Sequence, residues 1–230
     1  MVTPKTILTE ELPGRPCLVK SVATTTVERT IGERVVKRLA DYGFGLVGSL
    51  ITLLITPIVA LVLKLEDGGP VFYWREFVDC DGSVRYYLKF RTMVNNAEQW
   101  LLDNPQLKRE FDEKYKLEAD PRVLRTGRIL RKYSIDEFPQ FFSLLTGTLT
   151  LVGPRVISRE ETSRYGDLLP KLLSVKPGVT GYWQVMGRQT TTYEQRIRMD
   201  MFYIDHWSLG LDLRIVAVTL WKVLRAEGAY

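Results

Sequence analysis

The sequence predicts an α-rich α+β fold, in which one membrane-length helix precedes a globular domain with a small β element. Three observations predict it: an uncharged run at residues 42–63, two β-rich runs around Asp81-Gly82, and helical patterns from residue 98 onward. The chain has 230 residues, 45% of them hydrophobic and 26% charged, which is enough for one core. Residues 1–33 are polar without an apolar period and predict a flexible tail.

The uncharged run at 42–63 is long enough to cross the hydrocarbon core of a bilayer. Proline removes a backbone donor and clashes with the preceding turn, so Thr56-Pro57 should kink this helix. The pattern fits equally a kinked transmembrane span and a re-entrant helix that returns to the side it entered. Cations typical of cytoplasmic flanks lie at both ends, at Arg34, Lys37, Arg38 and Lys64.

The β-rich runs at 71–74 and 84–90 predict a hairpin, because Asp-Gly between such runs favours a tight turn. The 98–117 helical pattern should be split by Pro105. Further helices are predicted at 127–133, 135–146, 158–174, 192–207 and 211–225. The last of these suits either a core or an interfacial position.

A net charge of +5 suits nucleic acid, an anionic membrane surface or phosphate-bearing substrates. The sequence has no zinc-finger, RNP or helix-turn-helix signature, which argues against nucleic acid. A single histidine, His206, excludes His-rich metal sites, and the two cysteines lie outside any C-x-x-C. Membrane lipid and phosphate-bearing substrates therefore remain.

A basic turn leads directly into an acidic pair, Asp136-Glu137. Ser134-x-x-Glu137 is a capping box, so Glu137 can simply bond back to the backbone. The same place, near a helix N-terminus and several arginines, suits an ionised nucleophile beside a Mg²⁺ ligand. The basic residues suit phosphate, but they equally fit a solvated or lipid-facing surface: Arg122, Arg125, Arg128, Arg131 and Lys132.

An apolar helical face follows the acidic pair, and two glycine-containing loops come later. The face fits a core helix or one that meets the bilayer, and consists of Phe138, Phe141, Phe142 and Leu145. The segments 147–155 and 176–188 allow tight turns that bring backbone N–H groups close to phosphate. Neither loop is a Walker A motif or a Rossmann fingerprint.

Several short blocks follow one another along the chain in a fixed order. Besides the proline-broken segment they are Lys89-Phe-Arg-Thr-Met93, Asp120-Pro-Arg122, Gly127-Arg-x-Leu-Arg131, Ser134-x-Asp136-Glu137-x-Pro139-Gln140, Leu151-Val-Gly-Pro-Arg155, Lys176-Pro-Gly-x-Thr-Gly-x-Trp-Gln184, and 200–213. Taken together, these blocks resemble the bacterial sugar transferase family, the monotopic polyprenyl-phosphate hexose-1-phosphate transferases or phosphoglycosyl transferases. The resemblance runs from about Val35 to the C-terminus, and the joint order of the blocks is specific where each alone is weak.

The resemblance implies a reaction and a site. Asp136 would attack the donor diphosphate of a UDP-sugar, eject UMP and carry the sugar phosphate to polyprenyl (undecaprenyl) phosphate, while Glu137 would hold Mg²⁺. Phosphate contacts are implied for Arg91, Arg128, Arg131 and Arg155. The pocket loop is implied to contribute Lys176, Gly178, Gly181, Gln184 and Arg188.

The resemblance also implies a topology. Thr56-Pro57 becomes the break of a re-entrant helix-break-helix at 34–65. Residues 66–230 become the catalytic domain on the cytoplasmic face of the bacterial inner membrane, with interfacial amphipathic helices. The implied partners are the UDP-sugar, the lipid and the membrane, with no nucleic acid; a homodimer is left open.

Two features bear on the details. Val156 follows Gly153-Pro-Arg155 where the family usually has proline, which puts that turn's geometry in question. The stretch 188–196 looks more like members that use galactose or glucose phosphate. Two alternatives remain open: a non-catalytic membrane adaptor of polysaccharide assembly, and a one-step transferase without a covalent intermediate.

Overall fold

The computed structural model of the chain describes residues 29–114, 117, 120–187 and 191–225. Most of the predicted tail therefore lies outside the described residues. The confirmed α-rich α+β fold has short 3₁₀ helices at Ile135–Gln140, Glu160–Arg164 and Gly166–Leu168. Its other elements are α1 (Ile31–Asp67), β1 (Phe72–Val78), β2 (Val84–Phe90), α2 (Ala97–Leu102), α3 (Pro105–Lys114), α4 (Arg125–Lys132), α5 (Phe141–Thr146), β3 (Thr150–Val152), α6 (Leu169–Leu172), β4 (Gly178–Thr180), α7 (Tyr182–Met186), α8 (Tyr193–Asp205) and α9 (Leu209–Leu224).

Helix α1 has a defined start and end. It begins with a capping box, in which Thr30 Oγ1 accepts from Glu33 N at 3.2 Å and the Glu33 carboxylate accepts from Thr30 N at 2.9 Å. It ends at Gly68, whose φ of 69° is the left-handed conformation that glycine adopts without strain. By length and composition α1 is the one helix in the described part that could cross a membrane.

Pro57 lies inside α1 without ending it. The structure has one continuous helix from Ile31 to Asp67, so the predicted separation into two helices is not what is found. Proline costs one hydrogen bond, at the carbonyl of Leu53, while its φ remains compatible with a helix, and membrane helices tolerate that loss. Thr56 Oγ1 donates to Thr52 O at 2.6 Å, a bond of the kind that bends helices. Re-entry stays a prediction.

The predicted hairpin is confirmed. Strands β1 and β2 pair antiparallel around the Asp81-Gly82 turn, with Arg75 opposite Tyr87 and Tyr73 opposite Lys89. Gly82 has a φ of 80°, which the turn requires and glycine supplies. Because side chains alternate along a strand, Arg75, Tyr87 and Lys89 share one face of the hairpin.

The middle of α1 packs closely against α5. A Cβ on Gly48 would overlap the ring of Phe141, and one on Gly45 would lie 2.9 Å from Leu145 Cδ2. Small residues at these two positions therefore let the helix backbones approach. One turn later, Thr52 Oγ1 donates to Phe138 O at 3.0 Å and ties α1 to the 3₁₀ helix that precedes α5.

The N-terminal part of α1 is joined to the domain by buried polar groups. Lys37 Nζ lies 2.5 Å from Asp212 Oδ2 and donates to Val152 O at 2.8 Å. Asp41 accepts from Leu151 N at 2.7 Å. Lys37, predicted as a cytoplasmic flank, is therefore an internal anchor in this structure.

Two apolar clusters lie beneath these elements. The larger joins the hairpin, β3, α8 and α9 through buried residues that include Phe77, Leu149, Tyr203 and Ile215. The smaller packs the C-terminal part of α1 against the hairpin and α4, through Val59, Leu63, Phe90, Leu124 and Leu130.

One predicted helix is absent. Residues 158–174 form two 3₁₀ turns and the four-residue α6 instead of a single helix. Gly166 takes a φ of 47°, outside the right-handed helical region, and Pro170 cannot donate in a helix interior. The prediction at Pro105 is confirmed, since α3 begins at that residue.

Candidate active site

The position of the acidic pair is determined by a turn at Ser134 and not by a capping box. Ser134 has a φ of 55° and its side chain makes no cap bond, so the capping explanation for Glu137 is wrong. Only a backbone bond links the two residues, from Glu137 N to Ser134 O at 3.2 Å. The Glu137 carboxylate instead accepts from Lys89 Nζ at 2.6 Å. A cation on the hairpin therefore holds one of the two carboxylates.

The two carboxylates lie in different environments. Asp136 is 8% exposed, whereas the Glu137 side chain is 43% exposed. Burial, opposed by Lys89 and assisted by the charge of Glu137, raises the pKa of Asp136 to about 6. Burial also acts to raise the pKa of Glu137, but the Lys89 ammonium outweighs it and the pKa is lowered. At neutral pH both groups are mostly ionised, with Asp136 the more basic one, as suits a nucleophile.

A pocket opens beside Glu137. It contains three cationic side chains against one carboxylate. A surplus of positive charge in a concave site favours an anionic ligand. The lining residues are Arg75, Tyr87, Lys89, Glu137, Gln140, Arg155, Val156, Gly178, Val179 and Gln184.

Arg155 reaches this pocket because two glycines let the β3 and β4 segments approach. A Cβ on Gly178 would overlap the backbone of Gly153, and one on Gly181 would overlap the Gly153 carbonyl. The contact is closed by Gly178 N donating to Pro154 O at 2.8 Å. The Arg155 guanidinium then lies 4.7 Å from the centroid of Trp183.

Helix α7 brings two unsatisfied polar atoms to the same region. Trp183 Nε1 and Gln184 Oε1 are buried without a hydrogen-bond partner in the described part of the chain. Gln184 lines the pocket. Since buried polar groups are normally paired, these atoms favour a ligand that supplies an acceptor and a donor.

The remaining predicted residues divide into two groups. Arg131 donates from Nε to Thr92 Oγ1 at 2.9 Å, and its charge acts on Asp136. Arg91 does not line the pocket: it forms a bidentate pair with Asp67 and also donates to Met93 O at 2.7 Å. The others are also elsewhere: Lys176 donates to Gly147 O at 2.6 Å, Arg128 is exposed on α4, and Thr56 and Pro57 lie in α1. Arg188 lies outside the described residues.

Sequence reasoning missed four lining residues: Arg75, Tyr87, Lys89 and Gln140. Period-two alternation across the predicted hairpin could have placed the first three on one face. Val156, flagged as a departure, also lines the pocket beside Arg155.

In the described part of the chain, the protein supplies only some of the ligands that a metal ion would need at this site. The described residues contain no group of three or more His, Cys, Asp or Glu side chains suited to a metal. Mg²⁺, however, is often bound by one or two carboxylates together with substrate phosphates and water. Glu137 fits that role, because its half-exposed carboxylate lines the pocket and accepts from Lys89 through Oε1.

The order of these blocks matches a known family. A family model described as bacterial sugar transferase matches residues 32–226. The chain belongs to this family. The match takes in α1, the hairpin, the acidic pair and the glycine contacts, so every feature of the site described above is part of the bacterial sugar transferase unit.

Curated members of the bacterial sugar transferase family resemble the chain over most of its length. A UDP-galactose-lipid carrier transferase of Erwinia amylovora is 42% identical over 194 residues, covering 81% of this chain and 41% of that protein. A UDP-glucose:undecaprenyl-phosphate glucose-1-phosphate transferase of Escherichia coli (strain K12) is 33% identical over 208 residues, covering 86% and 42%. An exopolysaccharide production protein of Rhizobium meliloti (strain 1021) is 36% identical over 211 residues, covering 88% and 93%. The chain thus spans about two fifths of the length of several relatives and nearly all of another.

Proposed function

We propose that this bacterial sugar transferase moves a hexose-1-phosphate from a UDP-sugar to polyprenyl (undecaprenyl) phosphate and releases UMP. The observation that carries the proposal is the buried Asp136 beside Glu137, at the edge of a cationic pocket and tied to an apolar helix. A soluble anionic donor and a lipid acceptor both have a place in such an arrangement. The names of the relatives in Erwinia amylovora and Escherichia coli support the same reaction class.

The reaction proceeds in two displacements. An Asp136 carboxylate oxygen forms a bond to the phosphorus that carries the sugar, and the bond from that phosphorus to the bridging oxygen breaks. The electron pair leaves with UMP. An oxygen of polyprenyl phosphate then attacks the same phosphorus, which frees Asp136 and yields a lipid diphosphate sugar. Covalent catalysis of this kind divides one transfer between two polyanions into two simpler steps.

The surrounding residues bind and orient. Arg155 and Lys89 offset the donor's charge, and Arg131 stabilises the ionised form of Asp136. Glu137 would hold Mg²⁺, which supplies charge neutralisation to the donor diphosphate. Gln184 and the close Gly178 and Gly181 backbone shape the wall of the pocket.

The proposed location is the cytoplasmic face of the bacterial inner membrane, with α1 as the anchor. Helix α1 exposes large apolar residues such as Leu54 and Ile58, which supports membrane association. Placed there, the enzyme would perform the first membrane step of exopolysaccharide, O-antigen, capsule or glycoconjugate synthesis. UDP-galactose and UDP-glucose are the proposed donors, following the relatives' names.

The test is UMP release by the full chain in detergent, with Mg²⁺, undecaprenyl phosphate and a panel of UDP-sugars. Asp136→Asn should abolish release, whereas Asp167→Asn, at an exposed aspartate, should leave it unchanged. Without lipid, a burst of about one UMP per enzyme with a phosphosugar adduct on the intact protein is expected. Turnover without adduct or burst would favour the one-step transferase. A folded protein with no release from any donor would favour the non-catalytic adaptor.

A further inference from the structure

Arg75 is placed by the hairpin on the wall of the pocket. The Asp81-Gly82 turn fixes the register that sets Arg75 opposite Tyr87, and alternation puts Lys89 on the same face. All three side chains line the pocket beside Glu137. The position of Arg75 follows from strand pairing, so it is as well defined as that of Lys89.

Arg75 has no counter-ion among the residues that the structure describes. It is partly buried, yet no hydrogen bond or ion pair engages its guanidinium among the described residues. Lys89, the penultimate residue of β2, pairs with Glu137 instead. Arg75 is thus a cation held in a concave site with its five donors unused.

Arg155 faces the same pocket in a similar state. Its backbone N–H lies 3.4 Å from Asp200 Oδ1, but in the described part of the chain its guanidinium contacts only the Trp183 ring. Burial, and then the charges of Arg196 and Arg75, lower the pKa of Arg155. Two guanidiniums that repel each other across one pocket are stabilised by an anion between them.

The lining of the pocket indicates which anion this is. The lining residues come from the hairpin, the 3₁₀ helix Ile135–Gln140, Arg155 and Val156, β4 and α7, and none comes from α1, α4 or α9. Those three helices carry most of the exposed large apolar side chains, among them Leu54, Ile129 and Trp221. The pocket therefore suits a soluble diphosphate better than the phosphate of a lipid.

We propose that Arg75 binds the diphosphate of the nucleotide-sugar donor, opposite Arg155. The inference rests on the proposed function and adds a residue to it. When the bond between the bridging oxygen and the phosphorus carrying the sugar breaks, the electron pair stays on the nucleoside monophosphate. Arg75 offsets that charge, since a guanidinium can donate to two phosphate oxygens at once.

The first arm of the test measures UDP binding by calorimetry, using the full chain in detergent. Arg75→Ala should raise the Kd about 10- to 100-fold, the usual range for losing a charge-assisted contact. Arg75→Lys should lose less affinity, because it keeps the charge but not the two-pronged geometry. Arg159→Ala removes the same charge from an exposed site outside the pocket and should leave the Kd unchanged.

The second arm measures turnover against each substrate. Arg75→Ala should raise the KM for the UDP-sugar by a similar factor and leave the KM for undecaprenyl phosphate unchanged. A rise in the lipid KM alone would assign Arg75 to the acceptor and overturn the proposal. Unchanged UDP affinity in a folded Arg75→Ala protein would also overturn it, as would a wild type that does not bind UDP.

The two arms separate this inference from the proposed function. UDP binding that depends on Arg75, without UMP release from any donor, would keep the diphosphate site and reject the transferase. If Arg75→Ala fails to fold, Arg75→Lys carries both measurements, with a Kd and donor KM equal to wild type counting against the proposal.

Discussion

At the scale of one residue, Asp200 supports the site although its carboxyl group is buried. It is 1% exposed, accepts from Tyr165 Oη at 3.0 Å and lies 3.4 Å from the backbone N–H of Arg155. It therefore helps to fix the backbone of an arginine that lines the pocket. Burial, opposed by Arg196 and by these hydrogen bonds, raises the pKa of Asp200 to about 6.

This shift predicts a pH-dependent stability difference between wild type and Asp200→Asn. A carboxyl whose folded pKa lies above its unfolded value, near 3.8, stabilises the folded state below that value and loses this contribution as pH rises through 6. From pH 3.5 to 7.5, wild type should lose about 3 kcal/mol of unfolding free energy relative to the variant. Denaturant unfolding of both proteins in detergent checks this, and parallel pH profiles would contradict it.

Single residues also show what the sequence could and could not predict. Motif order predicts Asp136, Glu137, Arg155 and Gln184 as site residues. The structure places the last three on one pocket, with Asp136 next to Glu137 in the chain. Arg91 and Lys89 belong to one predicted block, but strand pairing sends Lys89 to Glu137 while Arg91 pairs with Asp67. Strand register decides which cation of a short basic block faces the site, and a sequence motif does not specify that register.

At the scale of elements, the contact between α1 and α5 fixes the acidic pair relative to the long apolar helix. Gly48 is the closest point of that contact, since any side chain there meets the ring of Phe141. Thr52 adds a hydrogen bond to the carbonyl of Phe138, one residue beyond Glu137. Helix α1 therefore supports the backbone that carries the acidic pair.

Substituting Gly48 by alanine should push these helices apart. Overpacking of a tight contact typically costs about 1–3 kcal/mol, and we expect lower thermal stability together with reduced UMP release. Gly43→Ala is the matched control, because a Cβ at Gly43 meets nothing within 4 Å. That variant should keep its activity and be neutral or slightly more stable, since alanine favours helix. Equal effects at the two positions, measured by thermal unfolding and turnover, would refute the packing argument.

Elements were predicted well where local pattern decides them. The hairpin and the helix starting at Pro105 followed from turn and proline chemistry. The acidic pair was expected in an ordinary helical turn, but the left-handed φ of Ser134 places it in a 3₁₀ helix. Nearby, Gly127 of α4 lies against the backbone of Thr92, which follows the hairpin. Contacts between distant segments are not visible in a local pattern.

At the scale of the whole molecule, a buried polar network joins the N-terminal part of α1 to the first turn of α9. Asp212 accepts from Lys37 Nζ, from Tyr203 Oη at 2.8 Å and from Trp207 Nε1 at 3.0 Å. The network bridges α1 to the consecutive helices α8 and α9, which are far from α1 in sequence. Its members are polar or charged and buried, so removing one of them would leave the others without a partner in a buried site.

Asp212→Ala should therefore be strongly destabilising. It leaves the Lys37 ammonium buried without its partner carboxylate, a change that typically costs about 3–5 kcal/mol. Asp205→Ala breaks the Lys171 pair, in which the Asp205 side chain is 37% exposed, and should cost at most about 1 kcal/mol. Denaturant unfolding of both variants checks the difference, and comparable losses would argue against an internal anchor.

Helix α1 exposes apolar residues and also forms part of the core, so it cannot simply be removed from the protein. Its Val59 and Leu63 side chains belong to the same core as Phe90 and Leu130, and its Gly45 and Gly48 seat α5. Cutting the chain after Asp67 would expose that core and remove the contacts that support the acidic pair. A water-soluble variant with an intact site is therefore better sought by replacing the exposed apolar residues of α1 with polar residues than by truncation.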